Sequence, residues 1–255
     1  MAGRGVARGL VLVVVTLWLV ATGRDGLDDW VAATEVPVLT VDTSVEVLDR
    51  AGGLLRAYTV ADGRWRLAAD PAQVDPLFTR MLVGWEDRRF RDHGGVDGRA
   101  VLRAAGQALW NGRVVSGAST LTMQVARLIE GGPTGTLAGK LRQLRLALAL
   151  ERRLTKDQIL ALYYDRAPYG GNTEGVRAAA RAWFGKEPVR LTPAEAALLV
   201  ALPQSPERRR PDRNPQAARE ARDRVLDRDA ALGILSAETA AAAKRDPVPQ
   251  MRREM

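Results

Sequence analysis

The features that most restrict the fold of this chain are its helix starts, each marked by its own capping residue. Asp75 stands directly before Pro76, which is typical of an N-cap followed by proline in the first helical turn. Asp97 begins another helix, which is predicted to run to a turn at residues 111–112. Two further starts have the spacing of a capping box, at Thr155/Gln158 and Thr192/Glu195. The sequence therefore predicts a mainly α fold.

Hydrophobic periodicity predicts the remaining segments. Residues 24–70 lack helical periodicity, and residues 45–67 are typical of short β segments with turns at 51–53 and 62–63. Pro203 ends the helix of LTPAEAALLVALPQ, and the alanine-rich residues 231–255 are predicted to fray. Residues 137–154 are predicted to form a helix with an apolar stripe, formed by Leu137, Leu141, Leu144 and Leu148.

The N-terminus carries an uncharged run, GLVLVVVTLWLVATG, at residues 9–23 between Arg8 and Arg24. Its terminal position and flanking arginines favour a transmembrane anchor or an uncleaved signal over a buried core helix. Cleavage after Ala21 or Gly23 is the alternative. The positive-inside rule predicts residues 1–8 as a cytoplasmic tail and the chain after Arg24 outside the membrane.

Composition limits the classes of function. The 38 Lys and Arg against 30 Asp and Glu give a net charge of +8, which predicts an anionic partner: nucleic acid, lipid head groups or a phosphorylated substrate. The lack of cysteine excludes disulfides and thiolate metal sites, and the single histidine excludes a histidine-rich metal site. Neither βαβ alternation nor a Walker-type phosphate loop is present in the sequence.

Glu86 is the first candidate for chemistry. It lies in LFTRMLVGWEDRRFRDHGG at the edge of an apolar helical face, where a carboxylate has a raised proton affinity and can act as a general base. Phe90 and His93 follow at i+4 and i+7 and are predicted on the same side. Two alternatives stay open: Glu86 and Asp87 are solvated charges near a helix end, or Glu86, His93 and Asp97 bind a metal ion.

A second candidate site is the stretch GASTLTMQVAR, where a loop enters a helix. The free backbone N–H groups and the dipole of a helix start attract anions. Thr120, Gln124 and Arg127 are spaced to line one helical face. The alternative is that Ser119 is only the N-cap and that Thr120 and Gln124 are polar surface.

Four ordered segments carry a family resemblance: WEDRRFRDHGGVD (85–97), SGASTLTMQVARL (116–128), KLRQLRLALALERRLTKDQILALYYDRAPYGG (140–171) and LTPAEAALLVALPQSPERRRPDRNP (191–215). Together they resemble the motifs of the peptidoglycan glycosyltransferases, and most closely the transferase module of C-type class A penicillin-binding proteins. The similarity runs from about Val45 to Arg228. It implies a lysozyme-like glycosyltransferase domain at residues 70–230, after a β lead-in or linker at 24–69 and before a C-terminal tail at 231–255.

The resemblance implies an enzyme that polymerises lipid II, a disaccharide-pentapeptide on a polyprenyl pyrophosphate, into glycan strands. Glu86 would take the proton from the acceptor 4-hydroxyl, and the lipid pyrophosphate would leave with inversion at the anomeric carbon. Arg127 and Lys140 would neutralise the leaving group, where a divalent cation, Mg²⁺ or Mn²⁺, is also allowed. Substrate contacts are implied for Ser119, Thr120, Gln124, Arg127, Lys140 and Gln143, with Asp87, Phe90 and His93 supporting the motif.

The implied location is the bacterial inner membrane, with a single pass and the catalytic domain on the extracytoplasmic side. The implied partners are lipid II, the growing glycan strand, the bilayer and other cell-wall synthesis proteins, and no nucleic acid.

Two departures from the family pattern limit this interpretation. Many relatives have a glutamate three residues after the motif lysine, where this chain has Gln143. None of the five serines has a lysine three residues on, so no transpeptidase nucleophile of the Ser-x-x-Lys type is predicted. The alternatives are an inactive lipid II-binding or scaffolding membrane protein, and a lysozyme-like glycan-cleaving enzyme that pairs Glu86 with Asp87 or Asp97.

Overall fold

The computed structural model describes residues 2–111, 119–132 and 136–253, with the backbone alone at 2–14, 105, 108, 109 and 111. The α-helices in these ranges are α1 (Ala2–Ala32), α2 (Pro76–Glu86), α3 (Gly98–Asn111), α4 (Leu121–Glu130), α5 (Leu137–Glu151), α6 (Lys156–Arg166), α7 (Val176–Phe184), α8 (Pro193–Ala201), α9 (Pro215–Ala231) and α10 (Ala237–Ala243). The strands are β1 (Val45–Leu48), β2 (Leu54–Tyr58), β3 (Trp65–Arg66) and β4 (Thr173–Glu174). Short 3₁₀ helices cover Pro71–Gln73, Phe90–Asp92 and Leu202–Gln204. The predicted mainly α fold is confirmed.

The core of the domain forms around α8. Residues 196–201 of this helix are all buried, and α8 packs against α2, α7 and α9. A helix that is apolar on every side has to lie inside the protein. Because α2 packs on α8, its last residue, Glu86, is held next to the centre of the domain.

The predicted helix starts are confirmed. Asp75 accepts a hydrogen bond from the backbone N–H of Leu77 at 2.8 Å, and the capping boxes at Thr155 and Thr192 are both formed. Asp97 accepts from the N–H of Ala100 at 3.0 Å, at the start of α3. The second residue of the turn predicted to end this helix, Gly112, lies outside the described residues.

The helix predicted over residues 137–154 is present as α5, but its leucine stripe is only partly covered, with Leu144 packed against the core. Leu137 is 79% exposed and Leu141 is 51% exposed. The buried face of α5 consists instead of Gly139, Gln143, Leu146, Ala147, Ala149 and Leu150. The backbone of Gly95 lies directly against this face: at φ +90°, a Cβ on Gly95 would lie 2.9 Å from the carbonyl oxygen of Ala147, so position 95 requires glycine.

The predicted β lead-in is confirmed as a hairpin. β1 and β2 are antiparallel, with Val45 opposite Tyr58. Asp49 closes the turn because its Oδ1 accepts from the backbone N–H groups of Ala51 at 2.8 Å and Gly53 at 2.7 Å. The two-residue strands β3 and β4 pair in parallel, which joins the hairpin segment to the helical domain.

Residues 24–32 are helical, which corrects the prediction of a non-helical segment there. α1 runs without interruption to Ala32, and its last turns pack on α5. Val31 is buried, and the guanidinium of Arg145 lies 5.1 Å from the centre of the Trp30 ring. Long-range packing therefore stabilises a helix that local periodicity does not indicate. Among the described residues, no helix combines the length and the apolar character that crossing a bilayer requires.

The predicted fraying of residues 231–255 is also wrong for the part that the structure describes. α10 is capped by Ser236, and the buried Arg222 donates to the carbonyl oxygens of Lys244 at 2.9 Å and Asp246 at 2.5 Å. The backbone N–H of Arg253 donates to the carbonyl of Ala182 in α7 at 2.8 Å. The segment after α9 is therefore tied to the helical domain by hydrogen bonds.

Candidate active site

Glu86, the last residue of α2, lines a cleft of about 600 Å³. The start of α3, the N-terminus of α4, the 3₁₀ helix after α8 and the helix α9 form other parts of its wall. Carboxylates and arginines both line it, and the lining residues are Trp85, Glu86, Asp87, Arg88, Arg89, Asp97, Ala100, Arg103, Ser119, Thr120, Gln124, Gln204 and Arg228. The structure thus brings Glu86 together with the predicted residues of the second motif.

Two side-chain amides hold the Glu86 carboxylate. Nε2 of Gln124 donates to Oε2 at 2.8 Å, and Nε2 of Gln204 donates to Oε1 at 3.0 Å. Gln124 is a predicted substrate contact, and in the structure its Nε2 donates to the candidate base. Each carboxylate oxygen has two lone pairs, so each keeps acceptor capacity for a ligand hydroxyl.

The pKa of Glu86 is raised above its ordinary value, as the sequence predicted for a carboxylate beside apolar surface. Burial is the main cause, because it disfavours the charged form. The two amide hydrogen bonds, and then the charges of Arg228 and Arg127, act in the opposite direction and lower the pKa. A base of this kind can accept a proton near neutral pH while it is still ionised.

The Asp87 side chain forms hydrogen bonds with two neighbouring parts of the site. It accepts hydrogen bonds from the backbone N–H of Leu121 at 3.0 Å and from Nε2 of His93 at 3.0 Å. Phe90 is fully buried in the core, with Nζ of Lys156 4.4 Å from its ring centre. The helical i+4 and i+7 relation of Phe90 and His93 to Glu86 is wrong, since α2 ends at Glu86 and a turn follows.

Thr120, rather than Ser119, is the N-cap of α4. Its Oγ1 accepts from the backbone N–H of Met123 at 3.1 Å and donates to the carbonyl of Gly95 at 2.6 Å. Thr120 is buried, and both hydrogen bonds of its hydroxyl are to backbone groups. This geometry does not support the predicted substrate contact of Thr120. Ser119 precedes the cap and accepts a hydrogen bond from Nζ of Lys140 at 2.6 Å.

A smaller cavity of about 190 Å³ adjoins Glu86. The predicted cations, Arg127 and Lys140, both line this cavity. Its lining residues are Glu86, Ser119, Gln124, Arg127, Lys140, Gln143 and Gln204. Nζ of Lys140 lies 3.5 Å from Oε1 of the buried Gln143. Burial, and next the charge of Arg127, lower the pKa of Lys140. Two cations that repel each other beside neutral partners are suited to an anionic ligand.

The metal site considered for Glu86, His93 and Asp97 is not formed. Nε2 of His93 is bonded to Asp87, and Asp97 is bonded to the guanidinium of Arg89. Nowhere in the described residues do three His, Asp or Glu side chains converge as metal ligands would.

Several lining residues were not singled out from the sequence, among them Gln204 and Arg228, which both act on the pKa of Glu86. Gln204 belongs to the fourth motif, directly after Pro203, so the motif itself could have indicated it. Arg228 reaches the cleft from α9, with its guanidinium 5.2 Å from the ring centre of Trp85. Nothing local in the sequence distinguishes Arg228 from the other arginines of that helix.

The fold and the site define a helical domain in which a cleft joins a candidate general base to cations suited to an anionic ligand. Residues 52–230 match the transglycosylase family, so the chain belongs to that family.

The proteins that this chain resembles are longer than the chain itself. It is 44% identical over 239 residues to penicillin-binding protein 1C of Escherichia coli (strain K12), which covers 94% of this chain and 30% of that protein. It is 37% identical over 177 residues to penicillin-binding protein 1A of Pseudomonas aeruginosa, which covers 69% of this chain and 22% of that protein. A crystal structure of penicillin-binding protein 1A from Haemophilus influenzae covers 87% of this chain and 22% of that one, with 18% identity and a TM-score of 0.46. The chain thus spans less than a third of the length of these relatives.

Proposed function

We propose that this chain is a peptidoglycan glycosyltransferase that polymerises lipid II into glycan strands. The observation that carries the proposal is the position of Glu86, whose carboxylate is held by two amides and lies beside the cavity of Arg127 and Lys140. Membership in the transglycosylase family supports the reaction class.

In the proposed reaction, Glu86 takes the proton from the 4-hydroxyl of the acceptor sugar. The oxygen attacks the anomeric carbon of the donor strand, the bond from that carbon to the lipid pyrophosphate breaks, and the configuration inverts. Glu86 suits this task because its two oxygens each accept one amide N–H bond and retain a lone pair. Its raised pKa increases its basicity.

Arg127 and Lys140 would stabilise the negative charge on the leaving pyrophosphate. Among the described residues, Lys140 donates to the neutral side chains of Ser119 and Gln143, and no carboxylate there is bonded to it. Fixed cations placed where charge develops lower the barrier without reorganisation. The wall of this cavity offers one carboxylate, from Glu86, beside amides and cations, whereas a protein-held Mg²⁺ or Mn²⁺ ion prefers several oxygen ligands without cations beside them.

The proposed location is the extracytoplasmic face of the bacterial inner membrane, where lipid II is embedded. The uncharged run at residues 9–23 between two arginines supports a single membrane anchor. Several apolar side chains of α1 in this run are exposed, namely Val15, Leu17, Trp18, Leu19 and Val20. Lipid II, the growing strand and other cell-wall synthesis proteins are the proposed partners.

A glycan-cleaving enzyme is the less supported candidate. Asp87 is engaged with Leu121 and His93, and Asp97 is engaged with Arg89, so both nearby carboxylates already serve the fold. A hydrolase needs a second carboxylate that is free to act on the sugar or on water.

Incubation of the chain with lipid II and analysis of the products on a gel tests these candidates. Lengthening glycan supports the transferase, shortening of preformed glycan supports a hydrolase, and no change with retained lipid II binding supports a scaffold. Glu86→Gln should reduce polymerisation by about 10²–10⁴-fold, since it removes the base and preserves the shape. The matched control is Glu220→Gln on the exposed face of α9, where the carboxylate also accepts an amide bond, from Gln216 at 2.9 Å.

A further inference from the structure

The side chain of Gln204 joins Glu86 to an arginine. Its Nε2 donates to Oε1 of Glu86 at 3.0 Å, and its own Oε1 accepts from Nη1 of Arg209 at 3.1 Å. The same Nη1 donates to the carbonyl oxygen of Ala201, the last residue of α8, at 2.6 Å. We propose that Arg209 and Gln204 form a relay that aims the Glu86 carboxylate, which makes Gln204 a positioning residue. This inference rests on the proposed role of Glu86 as the base.

The orientation of the Gln204 amide is determined by its two charged neighbours. If the amide were flipped, its NH₂ group would face the guanidinium of Arg209 and its oxygen would face the carboxylate of Glu86. Both contacts would be repulsive, since arginine only donates and an ionised carboxylate only accepts. Arg209 therefore selects the orientation in which Gln204 donates to Glu86.

An amide that can only donate distinguishes between the two states of Glu86. The ionised carboxylate accepts the N–H of Gln204 more strongly than the neutral acid does, because the hydrogen bond is then charge-assisted. The bond therefore stabilises the charged form, opposes the effect of burial and lowers the pKa of Glu86. The guanidinium of Arg209 strengthens the bond by polarising the amide.

Other groups also face Glu86. Arg127 reaches it from α4 and Arg228 from α9, and both lower its pKa through space. The buried Tyr163 of α6 is close enough for the charge of Glu86 to raise the pKa of the phenol further, after burial as the main cause. These influences are not directional. The bonds from Gln204 and Gln124 are directional, so they determine where the free lone pairs of the carboxylate point.

The backbone around Gln204 makes the relay rigid. Gln204 ends a 3₁₀ helix at Leu202–Gln204 that follows the buried α8, and Pro203 fixes φ at its centre. The bond from Arg209 to Ala201 ties the chain after this turn back to α8. The relay thus connects the end of α8 to the end of α2, where Glu86 lies.

The first experiment measures the pKa of Glu86 without any turnover. Titration of the full chain by ¹³C NMR of labelled glutamate carboxyl groups reports each midpoint, and Glu86→Gln assigns the resonance. Gln204→Ala should raise the midpoint of Glu86 by about one pH unit, because a hydrogen bond to the charged form is lost. Gln204→Met, of similar length and without the amide, should do the same and guards against collapse of the turn.

The matched control is Gln216→Ala, which removes an amide-to-glutamate bond on the exposed face of α9 and should leave the midpoint of Glu86 unchanged. An unchanged midpoint in both Gln204 variants would overturn the relay. The lipid II assay tests the proposed function separately. There, a native chain that does not polymerise lipid II, or a Glu86→Gln variant that still does, would count against the proposed function.

The second experiment tests whether Arg209 acts through Gln204. Arg209→Ala should raise the midpoint of Glu86 in the native chain and have little further effect in the Gln204→Ala background. Arg209→Lys should raise the midpoint of Glu86 less than Arg209→Ala does. Arg213→Ala, an exposed arginine of the same segment, is the control. Equal shifts in both backgrounds would show that Arg209 acts on Glu86 by its charge alone and would overturn the relay.

The relay also predicts a pattern in the kinetics. The acid limb of the pH profile of kcat/KM should move up by about one unit in Gln204→Ala, a loss of roughly tenfold at pH values below both midpoints. The loss should appear in kcat more than in KM, because the residue acts on the base rather than on substrate binding. A loss confined to KM would assign Gln204 to substrate binding and contradict the relay.

Discussion

The carboxylate of Asp87 accepts a hydrogen bond from the backbone N–H of Leu121, the first residue of α4, at 3.0 Å. This bond joins the chain after Glu86 to the helix that carries Gln124. Asp87 also accepts from Nε2 of His93 at 3.0 Å, so one buried side chain holds three parts of the site together. An anionic group at a helix N-terminus is further stabilised by the helix dipole.

Asp87→Ala should therefore lower the free energy of unfolding by about 2–4 kcal/mol, since it leaves a buried N–H without its charged acceptor. Polymerisation should fall as well, because α4 positions Gln124 against Glu86. Urea denaturation at neutral pH measures the stability, with the exposed Asp92→Ala as the control. Equal stability of the two variants would argue against the structural role of Asp87.

Lys140→Ala and Arg127→Ala should impair catalysis more than folding. Burial and the charge of Arg127 already lower the pKa of Lys140, so removing one of the two cations relieves repulsion in the free protein. With the pyrophosphate present, the loss of a cation should reduce kcat/KM by about 10²-fold. Steady-state rates over a range of lipid II concentrations measure this effect. Arg142→Ala, which removes an exposed pair with Glu130 at 2.7 Å, serves as the control, and unchanged kinetics in both test variants would remove them from the site.

Gln143→Glu should introduce a metal response. Position 143 is buried one turn from Lys140, so a carboxylate there would pair with Lys140 or help to hold a divalent cation by the pyrophosphate. The native protein should depend only weakly on added Mg²⁺ or Mn²⁺, and the variant should be faster and respond more steeply. Initial polymerisation rates across a metal titration compare the two proteins. Identical curves would place Gln143 outside the pyrophosphate site, and a slower variant would show that the amide itself contacts a phosphate oxygen.

Asp229→Asn should stabilise the protein in a pH-dependent way. Asp229 is buried in α9, and neither of its oxygens has a hydrogen-bond partner among the described residues. Burial raises its pKa to about 7, with the charge of Arg228 acting in the opposite direction. In the unfolded chain this carboxyl has an ordinary aspartate pKa of 3.8. The native state therefore binds more protons than the unfolded state between these two values, and its stability falls as the pH rises through that window.

Asparagine cannot ionise, so the advantage of the Asp229→Asn variant should grow between about pH 4 and pH 7 and then level off. Thermal unfolding at several pH values measures the difference in Tm. Asp227→Asn, an exposed neighbour paired with Lys244, should show no comparable trend. A Tm difference that does not change with pH would mean that Asp229 is not protonated in the native state near pH 6.

Much of this fold follows from the sequence alone because its signals are local. A cap such as Thr192 bonds a backbone N–H three residues away, so the residues that begin a helix are sufficient to predict it. The hairpin turn at Asp49 is local in the same sense. That Glu86, Arg127 and Lys140 lie at one site was also predictable, since each belongs to one of the ordered motifs.

The tertiary structure decided what those residues contact. Gln124 and Gln204 lie 38 and 118 positions from Glu86 along the chain, and only folding brings both amides to one carboxylate. The buried face of α5 was not predicted from hydropathy, because the segments that cover it, such as the backbone at Gly95, are distant along the chain. The docking of the segment after α9 depends on Arg222, a charged residue whose burial no local pattern indicates. Such contacts form between distant segments, where close packing and the need to satisfy buried polar groups outweigh local preference.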